Sequence, residues 1–124
     1  MVAFDTNHLL RHLLEDDESQ TRRVREILNG EFAKGKRIML LDLVLAETAW
    51  ALKTVYDFDR RALTEVLREV LVDKAFCFEN TSRIEAAILR HEKGRADFPD
   101  YLIDETAKAY HRKLETFDKK LIKG

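Results

Sequence analysis

At 124 residues the chain can bury one hydrophobic core but not two. Apolar residues make up 45% and charged residues 36%, which excludes a disordered or membrane-embedded chain, and no apolar stretch approaches the roughly 20 residues of a membrane helix. A net charge of −1 excludes a generic basic nucleic-acid binder, so contacts to a polyanion must be local or come from a second subunit.

The chain opens with Val2-Ala3-Phe4, a predicted strand over 2–4, and runs into Asp5-Thr6-Asn7, three residues that cap helices well. A helix is predicted over 7–14. This start lacks the basic segment and cleavage site of a signal peptide, and Cys77 has no disulfide partner, so a cytoplasmic protein is expected. Glu15-Asp16-Asp17-Glu18 reads as a solvated turn whose charges favour the positive end of the next helix. That helix, 19–34, carries Val24, Ile27, Leu28 and Phe32 on one stripe. A strand at 37–41 precedes a helix at 43–56. The helix at 59–72 has the clearest stripe, Leu63, Val66, Leu67, Val70 and Leu71, behind Asp59 as N-cap. Cys77 is expected buried inside a strand at 75–79. Ser82 with Glu85 reads as the capping box of a helix at 82–92, which Gly94 ends. A helix at 98–111, with Pro99 in its first turn, and a strand at 114–117 complete the chain. Trp50, Tyr56 and Tyr110 are expected first of all in the core, with an apolar groove for a partner helix as the alternative for some of them. The alternation predicts an α/β class: one three-layer α/β/α domain over 1–124, with a central parallel sheet of four or five strands.

Four stretches leave an acid within or beside an apolar run: Phe4-Asp5-Thr6-Asn7, Leu45-Ala46-Glu47-Thr48, Asp97-Phe98-Pro99-Asp100 and Thr116-Phe117-Asp118. Carboxylates from distant parts of a sequence repel each other when gathered in one pocket. A divalent cation is the usual compensation, and hard oxygen donors select Mg²⁺ or Mn²⁺. Asp5 follows the first strand, at the carboxyl edge where parallel sheets bind ligands. Its ordinary role would be a helix cap, which Thr6 and Asn7 can fill instead. Glu47 is the sole charge between Leu43 and Leu52, which predicts a buried carboxylate needing either a metal or an Arg from elsewhere. Asp97 and Asp100 stand three apart on one face of a helix start, where Asp97 is also accounted for as an N-cap. Asp118 ends the last predicted strand, where a lone Asp would close a turn, and Thr116 shares its face.

In their order and surroundings these residues resemble the PIN-domain ribonucleases, in particular the VapC-type toxins of prokaryotic toxin–antitoxin pairs. The resemblance covers nearly the whole chain. It rests on Val2-Ala3-Phe4-Asp5-Thr6-Asn7 with Leu9-Leu10-Arg11-His12-Leu13-Leu14, on Val44-Leu45-Ala46-Glu47-Thr48-Ala49-Trp50-Ala51-Leu52, on Ala96-Asp97-Phe98-Pro99-Asp100-Tyr101-Leu102-Ile103, and on Thr116-Phe117-Asp118-Lys119-Lys120-Leu121.

The resemblance implies a metal-dependent endoribonuclease that hydrolyses RNA phosphodiester bonds with water activated by Mg²⁺ or Mn²⁺. Asp5, Glu47, Asp100 and Asp118 would be the catalytic, metal-holding set. Asp97 would be an accessory metal ligand, with Asn7 and Thr116 orienting the acids from behind. A small antitoxin protein that blocks the acidic pocket and a homodimer are the implied partners. Lys119 and Lys120 are candidates for phosphate contacts. A degenerate PIN-like domain kept for protein binding, or a DNA-directed nuclease, are the alternatives. The first would be expected to lose one of the four acids, and this chain keeps them all. His8 and His12 have the spacing of a zinc pair but lack the Glu of zinc hydrolases, and are expected at the surface or facing a partner. The four glycines are scattered, so there is no phosphate loop.

Overall fold

The computed structural model describes residues 2–122. Its sheet is small. β1 (Ile38–Leu40) and β2 (Phe76–Phe78) run parallel, with Ile38, Met39 and Leu40 opposite Phe76, Cys77 and Phe78. The first predicted strand joins β1 through one parallel bridge, Ala3 to Met39. The Phe4 N–H donates to the Met39 carbonyl at 3.2 Å, and the Met39 N–H to the Val2 carbonyl at 2.9 Å. Phe4, Ile38, Leu40 and Phe76 are sealed in the core, which fixes the register of these short segments by burial.

The helices are α1 (Thr6–Leu14), α2 (Glu18–Ala33), α3 (Asp42–Thr54), α4 (Arg60–Val72), α5 (Thr81–Lys93), α6 (Phe98–Ala109) and the short α7 (Lys119–Ile122). The six long ones coincide with the six predicted from periodicity. Because the paired segments are parallel, α1, α3 and α5 all begin just after a strand end, at the carboxyl edge of the sheet. Asp59 caps α4 by accepting from the Ala62 N–H at 2.8 Å, and Gly94 ends α5 by donating its N–H to the Arg90 carbonyl. No helix among the described residues is long and apolar enough to cross a membrane.

Several expectations are corrected. Among the described residues the sheet has two strands and one bridge, not four or five strands. The segment 114–117 keeps the alternation of a strand, with Leu114 and Thr116 half-buried and Glu115 and Phe117 exposed. Its backbone finds no ladder partner among the described residues, however, and Thr116 Oγ1 instead takes the Asp118 N–H at 3.0 Å. Alternation reports which side faces the core; pairing needs a neighbouring edge. The cap of α5 is Asn80, accepting from the Arg83 N–H at 3.0 Å, rather than Ser82, because the chain turns out of β2 two residues earlier. Trp50 is 53% exposed and Tyr110 71% exposed, so neither belongs to the core. Tyr56 is half-buried and accepts from Arg11 Nη2 at 3.2 Å. Cys77 is half-buried in β2 rather than sealed.

Candidate active site

Asp5 is the N-cap of α1. Its Oδ1 accepts from the His8 N–H at 2.9 Å and lies 2.8 Å from His8 Nδ1. The backbone bond, then the ring, hold the Asp5 carboxyl below its ordinary pKa. Thr6 and Asn7 therefore do not relieve Asp5 of capping, as the sequence had allowed; the residue directly after the strand does that work itself. Asn7 is exposed and shares with Asp5, Arg11 and Arg23 a cavity of about 330 Å³. Thr6 points elsewhere: its Oγ1 donates to Glu47 Oε1 at 2.7 Å, joining the strand end to α3.

Glu47 is exposed, which corrects the expectation of a buried carboxylate. An apolar helix usually signals burial on every side. On α3, Val44, Leu45, Thr48, Ala49 and Leu52 face the core while Leu43, Glu47, Trp50 and Lys53 form the outer face. The apolar members of that outer face hid the amphipathic pattern. Ala46, Glu47, Trp50 and Pro99 line a shallow pocket of about 440 Å³, which sets Glu47 beside the first turn of α6. One helical step further, Lys53 Nζ lies 2.5 Å from Asp97 Oδ1.

Asp97 is the N-cap of α6, and its own N–H is taken by Asp100 Oδ2 at 3.3 Å. Asp100 is half-buried, and its pKa is raised, first by burial and then by the charges of Asp97 and Asp118; the Asp97 N–H and Lys53 oppose the rise. Asp118 is itself held in a turn: its N–H goes to Thr116 Oγ1, and its Oδ1 accepts from the Lys120 N–H at 2.9 Å. Asp97 and Asp118 thus both act on Asp100, Glu47 adjoins Pro99 in the first turn of α6, and Thr6, next to Asp5, reaches Glu47.

The loop that carries Asp97 is locked from three sides. Arg60 donates to the carbonyls of His91 at 2.6 Å and Ala96 at 2.8 Å. The buried Tyr101 hydroxyl accepts from the Ala96 N–H at 3.2 Å. Gly94 leaves room for that hydroxyl, since a Cβ there would stand 1.8 Å from it. Beneath the loop, His91 is buried, with Nδ1 2.8 Å from Thr64 Oγ1.

A profile described as PIN domain matches residues 2–123. The chain belongs to the PIN domain family. No curated protein and no solved structure gives a significant match. PIN domains are generally nucleases that use divalent metal ions. The donor set of this PIN domain fits such an ion in chemistry: its oxygens are hard carboxylates, and the raised Asp100 between two further acids is the kind of charge conflict a divalent cation relieves. Among the described residues no three His, Cys, Asp or Glu side chains converge closely enough to enclose one. Each acid instead leans on a donor of the protein: Asp5 on His8, Glu47 on Thr6, Asp97 on Lys53, Asp100 on the Asp97 N–H and Asp118 on the Lys120 N–H.

Two participants were not legible in the sequence. Lys53 is the only base on α3, which could have drawn notice, but its pairing with Asp97 spans 44 positions. His8 was set aside with His12 as a surface pair, yet it stands three residues after Asp5, the reach of a cap. His12 instead packs half-buried and edge-on against Phe76, 5.4 Å between ring centres. Asp42 also stands at the carboxyl edge, where Arg83 Nε and Nη2 neutralise it at 2.9 and 2.6 Å. That pair marks Asp42 as structural.

Proposed function

We propose that this PIN domain is a Mg²⁺- or Mn²⁺-dependent endoribonuclease and the toxin of a VapC-type toxin–antitoxin pair. The observation that carries the reading is Asp100, half-buried, pressed by Asp97 and Asp118, and raised in pKa as a result. A structural acid would be paired off as Asp42 is; Asp100 is left in conflict, which favours the arrival of positive charge. Asp5, Glu47, Asp100 and Asp118 would hold the ion, with Asp97 assisting. Bound there, the ion supplies neutralisation of phosphate charge and a water acidic enough to attack phosphorus near neutral pH. The chain's own groups set the stage. Thr6 fixes the rotamer of Glu47, Thr116 fixes the turn ahead of Asp118, and Lys53 holds the Asp97 carboxylate at the pocket's rim.

The partners of this reading are RNA, a small antitoxin protein that covers the acids, and a second copy of the chain, all in the cytoplasm. Leu43, Trp50 and Ile103, exposed on α3 and α6 beside the acids, support a protein partner at this face.

The test is cleavage of structured RNAs by the purified chain in Mg²⁺ or Mn²⁺. Wild type should cut, EDTA should abolish cutting, and Asp5→Asn and Asp100→Asn should each fold yet lose at least about a hundredfold in rate, the size expected when a metal-binding group loses its charge. Expression of wild type should arrest growth while both variants are harmless. A fully active Asp5→Asn would end the metal-nuclease reading and favour a binding module.

A further inference from the structure

A cavity of about 540 Å³ opens between the end of α5 and the start of α7, lined by Leu89, Arg90, Lys93, Gly94, Arg95, Lys119 and Lys120. We propose that it is a backbone track for a single RNA strand, in which Lys93, Arg95, Lys119 and Lys120 hold successive phosphates beside the acids. The inference rests on the nuclease reading and names where its substrate lies.

Charge is the first argument. Arg90 is committed, 2.7 Å from both Asp104 and Glu105. Most other basic side chains on the helices are likewise spoken for, as Arg11 is by Asp16, Arg68 by Glu92 and Arg83 by Asp42. Lys93, Arg95, Lys119 and Lys120 form no ion pair among the described residues, and all four are exposed. On a chain of net charge −1, four uncompensated cations around one cavity are a local concentration of positive potential.

Position is the second argument. Arg95 precedes Asp97 by two residues, and Lys119 directly follows Asp118. Along the chain, each basic wall of the cavity therefore leads within two residues to an acid of the candidate site. The walls are also built to stay open. Gly94 packs against Tyr101, Arg60 pins the Ala96 carbonyl, and the Asp118 carboxylate caps the Lys120 N–H. A strand lying in the cavity would be led from cations to carboxylates without leaving the surface. The Arg95 fork can take a phosphate in bidentate fashion, and the lysine heads follow a flexible backbone as point charges. A phosphodiester strand presents one negative charge per nucleotide, which suits a row of free cations; an acidic protein segment is the competing occupant.

The experiment measures binding of a labelled single-stranded RNA dodecamer to the full chain in Mg²⁺, in an Asp100→Asn background, across a range of salt concentration. Lys119→Gln/Lys120→Gln and Lys93→Gln/Arg95→Gln are compared with Lys36→Gln/Arg37→Gln, which precedes β1 at the opposite edge of the sheet. Removing two phosphate contacts should weaken binding about tenfold at low salt and flatten the slope of log K against log salt by about 1.4. The control pair should change neither, and thermal melts should show every variant folded. Unchanged slopes in both track variants, or an equal loss in the control, would overturn the track. So would a polyglutamate of equal charge that competes as well as RNA and loses binding in the same variants. Cleavage by the native Asp100 chain separates the two ideas: cutting with an unmoved slope sinks only the track, whereas track-dependent binding with no cutting in Mg²⁺ or Mn²⁺ sinks the nuclease.

Discussion

Asp5 and Asp100 are the same residue type at the start of two helices, and their surroundings push them in opposite directions. Asp5 is exposed and accepts from His8 twice over, so its carboxylate is stabilised and its pKa lowered. Asp100 is half-buried with two acids nearby, so its carboxylate is destabilised and its pKa raised. The α1–α3 half of the site thus consists of acids satisfied singly by hydrogen bonds. In the α6–α7 half, Asp100 stands in conflict with its surroundings, beside Asp97 on a locked loop and Asp118 in its own turn. A site residue is recognised less by being acidic than by lacking a sufficient partner.

If the α6 half depends on its locked loop, acid should weaken that half first. Burial, then the charge of Arg60, push the His91 imidazole beneath the loop down to about 4. The sign follows from proton counting. Between 4 and the ordinary value of 6.5 the unfolded chain binds this proton and the folded chain does not. The contribution of His91 is therefore intact above pH 6.5 and is lost as pH falls toward 4, to the extent of about 3 kcal/mol. An NMR titration of His91 in the folded chain should show it neutral until near pH 4. A midpoint near 6.5 would mean that the loop is open to water and the contrast between the halves overstated.

Gly94→Ala attacks the same loop by volume. The added Cβ would collide with the Tyr101 hydroxyl and lie 2.9 Å from the Arg90 carbonyl, so the ring and its bond to the Ala96 N–H must shift. Overpacking of this kind should cost about 2 kcal/mol, read by urea denaturation. It should also weaken Mn²⁺ binding, because Asp97 moves with the loop. A neutral Gly94→Ala would show that Tyr101 can swing away and that the lock is slack.

The sharpest form of the comparison uses the smallest energies. Asp5→Ala removes a cap and should lower metal-free stability by about 1 kcal/mol. Asp100→Asn keeps an acceptor for the Asp97 N–H while removing the repelled charge. The raised pKa of Asp100 means that its ionised form opposes folding near neutral pH, so this variant should melt at the same temperature as metal-free wild type or higher. Thermal melts in EDTA decide it. A large loss in Asp100→Asn would make Asp100 a helix-start residue like Asp5.

Local signals in the sequence carry most of the helices. The stripe of α4, the Asp59 cap and the Gly94 stop all depend on neighbours within a few positions, and all are present. The α2 stripe holds at Val24, Ile27 and Leu28 but not at Phe32, which is 81% exposed at the end of its helix, where Glu31 turns inward instead. The three errors of consequence involve long-range information. Glu47 was assigned to the interior because its neighbours are apolar, but which face of α3 meets the core is decided by α1 and α6. The strand at 114–117 has the right alternation and no partner edge. Lys53 appears in the site only once α3 is placed against α6.

The sequence by itself determined the helices, the order of the four acids, and through that order the family. These rest on periodicity, capping chemistry and a linear pattern, each of which is written along the chain. Only the tertiary structure decided which acids are satisfied and which are in conflict, that Lys53 stands against Asp97, and that four free cations surround one cavity beside Asp118. Those depend on distances between residues far apart in the chain, and charge interactions fall off with distance in space, not in sequence.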